Sequence, residues 1–208
     1  MPCICWNLAG GFFRYFGNAI IIAYGLFYFN LYQKPDQYAL ITTIVFVVGG
    51  TFSPLFYAYL SDKLEPYNWK AKAYLASFQA LFAAICYFAL FYFFKSFTFA
   101  VTFVILEEFF AEGIVAPSLS MMTLTCPRGQ DGNIMGLYMI ITSIATLIPS
   151  YVLGTIVNET DPKEKIMFVL TWSIVPCFLL GSLCYFMSGF DYEKKMKQMK
   201  EERTQALA

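Results

Sequence analysis

Residues 39–60 read ALITTIVFVVGGTFSPLFYAYL, and this run decides the class of fold. It holds no charged side chain and exceeds the about 20 mostly apolar residues that an α-helix needs to cross a bilayer. Strands that span lipid are shorter, alternate with period two and must close into a barrel, which this continuously apolar run does not match. The run therefore predicts a transmembrane helix.

Five further runs have the same character, so we expect an all-α integral membrane protein with six transmembrane helices. The predicted spans are residues 12–31, 39–60, 73–94, 97–125, 134–157 and 166–190. The loops between them are too short for a separate soluble domain. Residues 1–190 therefore form one six-helix domain, and residues 191–208 form a charged, helix-permissive tail.

Composition agrees with this assignment. Hydrophobic residues make up 59% of the chain and charged residues 13%, whereas soluble domains average about 45–50% and about 25%. The net charge is zero, so nucleic acid is an unexpected partner. The chain has no His, no metal-ligand spacing and no recognisable nucleophile–base pair, so we expect no cofactor, no metal and no enzymatic activity.

Lys and Arg in the loops predict the orientation, because cytoplasmic loops carry an excess of both. With six spans, the two termini lie on one side. The termini side holds Lys63, Lys70, Lys72, Arg128, Lys194, Lys195, Lys197, Lys200 and Arg203, and the opposite side holds Lys34, Lys95, Lys163 and Lys165. Both termini should therefore face the cytosol, or the matrix if the membrane is mitochondrial.

Three carboxylates stand inside the fourth predicted span, at Glu107, Glu108 and Glu112. A charged side chain at the bilayer centre costs at least about 2.5–3.5 kcal/mol on insertion scales, so such groups are usually paired or functional. Glu108 and Glu112 are four residues apart and share one helix face. They either form a proton- or cation-coupled site or anchor the fold by pairing with Arg14. Glu107 points about 100° away from Glu108, and a headgroup or subunit contact is the favoured interpretation for it.

Other polar and helix-breaking residues inside the spans are further candidates. Arg14, Asn18, Asn30 and Gln79 are polar groups that could line a site together with the carboxylates. Each proline within a span removes a backbone hydrogen bond and bends its helix, as bundles that move between two conformations tolerate. These prolines are Pro54, Pro117, Pro149 and Pro176.

A faint internal repeat relates the second and fifth predicted spans. In one, Pro54 is followed eight residues later by Asp62, and in the other Pro149 is followed nine residues later by Asn158. These spans are the middle members of two helix triplets. Inverted repeats of three plus three helices build each half of a major-facilitator transporter.

The chain resembles the C-terminal six-helix half of spinster-like transporters of the major facilitator superfamily, of the protist type. The resemblance is carried by residues 108–116, by Tyr-Val-Leu-Gly at 151–154 and by GFFRYFG at 11–17, which is similar to the seventh helix of such proteins. The helix that contains Gly49-Gly50 and ends at Ser61-Asp62-Lys63 is similar to their eighth. It contains a degenerate version of the superfamily's loop motif, with Ala58 at the position where the motif has Gly.

The resemblance implies a 3+3 half-bundle and a proton-coupled or facilitated carrier of amphiphilic small molecules, such as lysolipids or sphingoid phosphates. The first six-helix half of such a carrier is absent, so a second copy or a separately encoded half would supply the other wall of a cavity lined by Glu108, Glu112, Asn18, Asn30 and Gln79. The alternative is a non-transporting accessory subunit of a large membrane complex, for example a mitochondrial respiratory complex. Its open face would pack on other subunits and bound lipid.

Overall fold

The computed structural model describes residues 2–30, 35–93, 96–127, 129–157 and 161–207, without the side chains of 26–30, 35, 38, 163, 203, 206 and 207. Within these ranges the chain forms seven α-helices and no strand. They are α1 (Pro2–Asn30), α2 (Pro35–Leu64), α3 (Ala71–Tyr92), α4 (Phe97–Gly113), α5 (Val115–Thr125), α6 (Asp131–Gly154) and α7 (Lys163–Leu207). The prediction of an all-α protein is confirmed.

Four of these helices, rather than six, are long and apolar enough by themselves to cross a membrane. In the described part of the chain they are Ala39–Leu64, Ala71–Tyr92, Asp131–Gly154 and Glu164–Glu202. The first predicted span forms the 29-residue α1, but it carries Asn7, Arg14 and Asn18 along its length. The fourth predicted span is divided into α4, with 17 residues, and α5, with 11, and each is shorter than the about 20 residues of a spanning helix.

Pro117 explains the division between α4 and α5. Proline has no N–H, so it cannot bond the carbonyl of residue i−4, and its ring presses against that carbonyl. For Pro117 that carbonyl belongs to Gly113, the residue at which α4 ends. The intervening Ile114 keeps helical dihedral angles (φ −63°, ψ −31°), so the two helices follow one another closely. Pro54, Pro149 and Pro176 instead lie inside helices that continue past them.

The helices pair in a simple pattern around α1, α3, α4 and α7. The most extensive contacts join α7 to both α1 and α3. α1 also packs on α6, and α4 packs on both α2 and α3. The central apolar cluster lies where α1, α3, α4 and α7 meet, and includes Ile20, Tyr87, Val104 and Phe178.

Small residues allow this close packing. In lipid the hydrophobic effect does not drive helices together, so van der Waals packing between close helices stabilises the bundle instead. A Cβ on Gly17 of α1 would lie 2.7 Å from the Phe178 ring of α7. A Cβ on Gly181 would lie 3.5 Å from the backbone oxygen of Gly10. On α3, buried alanines at 73, 76, 80, 83 and 84 line the side that meets its neighbours. These positions let three helices approach without a gap.

Two helices leave most of their apolar surface uncovered. In the most apolar stretch of each helix, the buried share of residues is 11% in α2 and 28% in α6, compared with 50% in α3. Their uncovered side chains include Phe52, Leu55, Leu147 and Tyr151. Lipid or another protein must cover these surfaces.

The tail from residue 191 continues α7 as helix rather than beginning a new element. Glu193 and Lys197, four residues apart on this helix, form an ion pair with Nζ and Oε1 at 2.9 Å. Glu193 also pairs with Lys70 at the start of α3, at 3.1 Å. These contacts place the first turns of the tail beside α3.

Candidate functional site

An ion pair at the middle of the bundle joins α1 to α4. The Nη2 group of Arg14 contacts Oε1 of Glu112, and Asn18 donates a hydrogen bond from Nδ2 to the same oxygen at 3.3 Å. The Nε group of Arg14 donates to the backbone oxygen of Ala111 at 2.8 Å. The Arg14 guanidinium also lies 4.5 Å from the ring centre of Tyr15. The predicted pairing of Arg14 with one of the glutamates is therefore present, and the partner is Glu112.

Burial makes this pair a structural element as well as a candidate site. Arg14 is 1% exposed, whereas the Glu112 side chain is 24% exposed. Among the described residues, Nη1 of Arg14 and Oδ1 of Asn18 have no hydrogen-bond partner. Buried polar atoms without partners are uncommon and mark places where water or a ligand group can bind.

Glu107 and Glu108 form a second acidic position, separate from the Arg14–Glu112 pair. Each is 3% exposed, and both line a cavity of about 100 Å³ between α1, α2 and α4. Oε1 of Glu107 accepts no hydrogen bond from the described residues. The Cγ of Glu108 lies 3.0 Å from the position that a Cβ on Gly49 of α2 would take. Gly49 thus leaves the room that the Glu108 side chain occupies.

Sequence reasoning placed Glu107 at a headgroup or subunit contact, but its side chain is buried inside the bundle. Its register carried a signal, because Ala100, Val104 and Ala111 recur on the same helix face at spacings of three and four residues. All three are buried, and Glu107 shares their face. A carboxylate in a row of small apolar residues faces a neighbouring helix rather than lipid.

Gln79 lies apart from both groups, at the joint between α4 and α5. It is fully buried, and a Cβ on Gly113 would lie 2.2 Å from its Nε2 atom and 2.2 Å from Cδ2 of Tyr57. Neither Nε2 nor Oε1 of Gln79 has a hydrogen-bond partner in the described part of the chain. Asn30 ends α1, but its side chain lies outside the described residues. The predicted polar residues whose side chains the structure describes therefore occupy three places rather than one cavity.

A third charged cluster stands at the end of α2 and the start of α3. Lys72, 2% exposed, contacts Asp62 and Glu65 at 2.9 Å each and donates to the Ser120 hydroxyl at 2.8 Å. The hydroxyl of Tyr192 on α7 donates to Glu65. This cluster holds α2, α3, α5 and α7 together.

The motif residues Asp62 and Lys63 differ in their surroundings. Asp62 belongs to the cluster around Lys72, whereas Lys63 is exposed and lies 5.9 Å from the ring centre of Tyr59. Sequence reasoning counted Lys72 only as a loop charge. Two features of the sequence could have indicated that Lys72 is buried and paired. It adjoins the buried Ala73 and Ala76, and two acidic residues precede it at the end of α2 and in the turn after it.

The described residues contain no group of three or more His, Cys, Asp or Glu side chains placed to hold a metal ion. The buried carboxyl and guanidinium groups can bind protons and form ion pairs. Glu107 and Glu108 present oxygens to a small cavity. At the separate Arg14–Glu112 pair, Nη1 of Arg14 and Oδ1 of Asn18 have no hydrogen-bond partner among the described residues.

Comparison with known proteins yields no family. No protein-family model matches the chain, and no curated protein matches it.

Proposed function

We propose that this chain is a six-helix half of a major-facilitator-type transporter for amphiphilic small molecules. Its spans would be α1, α2, α3, the joined α4 and α5, α6 and α7. The observation that carries the proposal is the pattern of helix pairing. The resemblance of residues 11–17, 108–116 and 151–154 to spinster-like carriers adds the substrate class.

The five most extensive helix pairings are retained when the two helix triplets are exchanged. If α1, α2 and α3 correspond to α4–α5, α6 and α7, then the α1–α7 contact corresponds to α4–α3, and α1–α6 corresponds to α4–α2. The α3–α7 contact corresponds to itself. At that contact, Ser77 and Ser182 hydrogen-bond one another, with hydroxyl oxygens 3.0 Å apart. Such exchange symmetry is expected of a 3+3 inverted repeat.

The α1–α6 and α2–α4 contacts each contain a hydrogen bond close to a proline. The hydroxyl of Tyr24 on α1 donates to the backbone oxygen of Ser150 on α6, at 2.9 Å, next to Pro149. The hydroxyl of Ser53 on α2 donates to the backbone oxygen of Phe109 on α4, next to Pro54. Each contact thus joins a side-chain hydroxyl to a main-chain carbonyl near the proline of the middle helix, which supplies the carbonyl in α6 and the hydroxyl in α2. This likeness supports the repeat that Pro54 and Pro149 suggest in sequence.

The proposal requires a second half, because the cavity at Glu107 and Glu108 is too small for an amphiphile. It measures about 100 Å³, whereas ligand pockets usually measure about 300–1,000 Å³. The uncovered surfaces of α2 and α6 are available to a second copy of the chain or to a separately encoded half. Loop charges favour an orientation with both termini in the cytosol or matrix.

The test is the native mass of the endogenous protein in mild detergent, followed by flux in proteoliposomes. A particle of two copies, or of one copy with another six-helix chain, is expected to move a lysolipid across the bilayer. Glu108→Gln should abolish flux, and the exposed Glu164→Gln is the matched control. Absence of flux from the intact endogenous particle would contradict transport.

A second candidate function is an accessory subunit of a large membrane complex. The low burial of α2 and α6 favours it, because neighbouring subunits would cover these surfaces in a fixed assembly. Here Arg14 and Glu112 serve only to hold α1 against α4. Comigration in a fixed ratio with a large complex supports this function, and stable purification as a lone monomer contradicts it.

A further inference from the structure

The charges buried in the middle of the bundle do not balance. Arg14 is the cation there, and Glu107, Glu108 and Glu112 are the three carboxyl groups around it. Arg14 forms its ion pair with Glu112. Among the described residues, no Lys or Arg forms an ion pair with Glu107 or Glu108. If both were ionised, two buried negative charges would stand side by side without a counterion.

That state is unfavourable on two physical grounds. Moving an isolated carboxylate out of water costs several kcal/mol even after the protein relaxes, so buried carboxyls take up a proton or a cation instead. Two carboxylates that share one site also repel one another, so that one of them is protonated more readily. Both effects act on Glu107 and Glu108, which are each 3% exposed.

The groups that face the two carboxyls from the surrounding helices do not remove this imbalance. Glu112 adds a further negative charge from α4, and Arg14 on α1 is already bound to it. Tyr87 and Cys86 approach Glu107 from α3, and neither carries a positive charge. α2 contributes Thr42 and Phe46 to the cavity wall.

The cavity between the helices indicates which counterion it can hold. Its other walls are Ile21, Ile22, Phe46 and Val104, and Thr42 adds one hydroxyl. Among the described residues no group of three or more His, Cys, Asp or Glu side chains is placed to hold a metal ion. A volume of about 100 Å³ leaves room for water, since each liquid water occupies about 30 Å³. A proton needs only one carboxyl oxygen and fits this lining.

We propose that the Glu107–Glu108 cavity is a proton-binding site, in which the two carboxyls together hold one proton at neutral pH. The proton comes from water, one carboxylate becomes a neutral acid and the other keeps its charge. The sequence suggested Glu108 and Glu112 as the proton site. This proposal instead assigns the site to Glu107 and Glu108, because Glu112 forms the ion pair with Arg14. It does not depend on transport, because the proton is bound whether or not a substrate moves.

The test is infrared spectroscopy of the purified protein in lipid across a pH series, in H₂O and D₂O. The wild type should show the carbonyl stretch of a protonated carboxylic acid at neutral pH, with a D₂O shift, and the band should fade at high pH. Glu107→Gln/Glu108→Gln should abolish the band, whereas Glu164→Gln on the exposed part of α7 should keep it. Each single variant should weaken or shift it.

Absence of an acid band at neutral pH in the wild type overturns the proposal, so the test holds even if the double variant fails to fold. A band that survives the double variant also overturns it. A band that disappears when sodium chloride replaces choline chloride at constant ionic strength overturns it in favour of a metal cation. Flux is not measured here, so failure of the proton site and failure of transport remain distinguishable.

Discussion

The Arg14–Glu112 pair should respond asymmetrically to removal of its two partners. Glu112→Gln leaves the Arg14 guanidinium 1% exposed and without its ion-pair partner. Arginine cannot release its proton, so the charge stays. Removing one partner of a buried ion pair costs about 3–5 kcal/mol. At about 1.4 kcal/mol for each tenfold change, the unfolded fraction should rise at least a hundredfold.

Arg14→Met should cost less. The Glu112 side chain that remains is 24% exposed, so water can solvate it. Methionine keeps an unbranched apolar stem in place, and the main loss is the charge-assisted bond to the Ala111 oxygen. Such a bond contributes about 1.5–3 kcal/mol. Arg14→Met combined with Glu112→Gln should cost about the same as Arg14→Met alone.

The assay is reversible unfolding in mixed micelles, with helix content followed by circular dichroism. The exposed Glu164→Gln serves as the control and should change the free energy of unfolding by less than about 0.5 kcal/mol. If Arg14→Met destabilises the protein as much as Glu112→Gln or more, the reasoning from burial and proton release is wrong.

Two further changes probe the packing and the cluster at the α2–α3 turn. Gly113→Ala should lower the free energy of unfolding by about 1–3 kcal/mol, because its Cβ would lie 2.2 Å from Gln79. The control is Gly136→Ala, whose Cβ meets nothing within 4 Å and which should not destabilise the protein. Equal thermal stability of the two variants would contradict the packing argument. Lys72→Met should destabilise by about 1–3 kcal/mol because it removes the ion pair between the buried Lys72 and the partly buried Glu65. Lys70→Met loses a more exposed pair with Glu193 and should change the stability by less than about 1 kcal/mol in the same unfolding assay. A larger loss for Lys70→Met would contradict the burial argument.

The helical class and the positions of the helices were predictable because the bilayer imposes a simple rule. Each apolar run must satisfy its own backbone hydrogen bonds, so it folds as a helix wherever it lies. Residues 39–60, 73–94 and 134–157 therefore correspond closely to α2, α3 and α6. Pro117 interrupts the fourth predicted span for an equally local reason, because a missing N–H acts within one helical turn. What the hydropathy of a run does not reveal is that Gly113 and Pro117 divide it into pieces too short to span alone.

The candidate site was predictable only in part, because partner choice depends on distant residues. Sequence alone identified Arg14, Glu108 and Glu112 as intramembrane polar groups, from the cost of charge in lipid. It left open which carboxyl pairs with Arg14, since residues 98 positions apart meet only in the folded bundle. It also assigned Glu107 to a headgroup or subunit contact.

Sequence by itself determined that this protein is helical, membrane-compatible and rich in buried polar groups, since these follow from local hydropathy and from backbone hydrogen bonding. Only the tertiary structure decided which of those polar groups pair with one another and which line a cavity. In the folded bundle Arg14 on α1 reaches Glu112 on α4 and neutralises it, and the space between α1, α2 and α4 holds Glu107 and Glu108, which form no ion pair with a described Lys or Arg. The physical reason is that charge balance in a low-dielectric interior is a property of neighbours in space, which the order of residues along one helix does not contain.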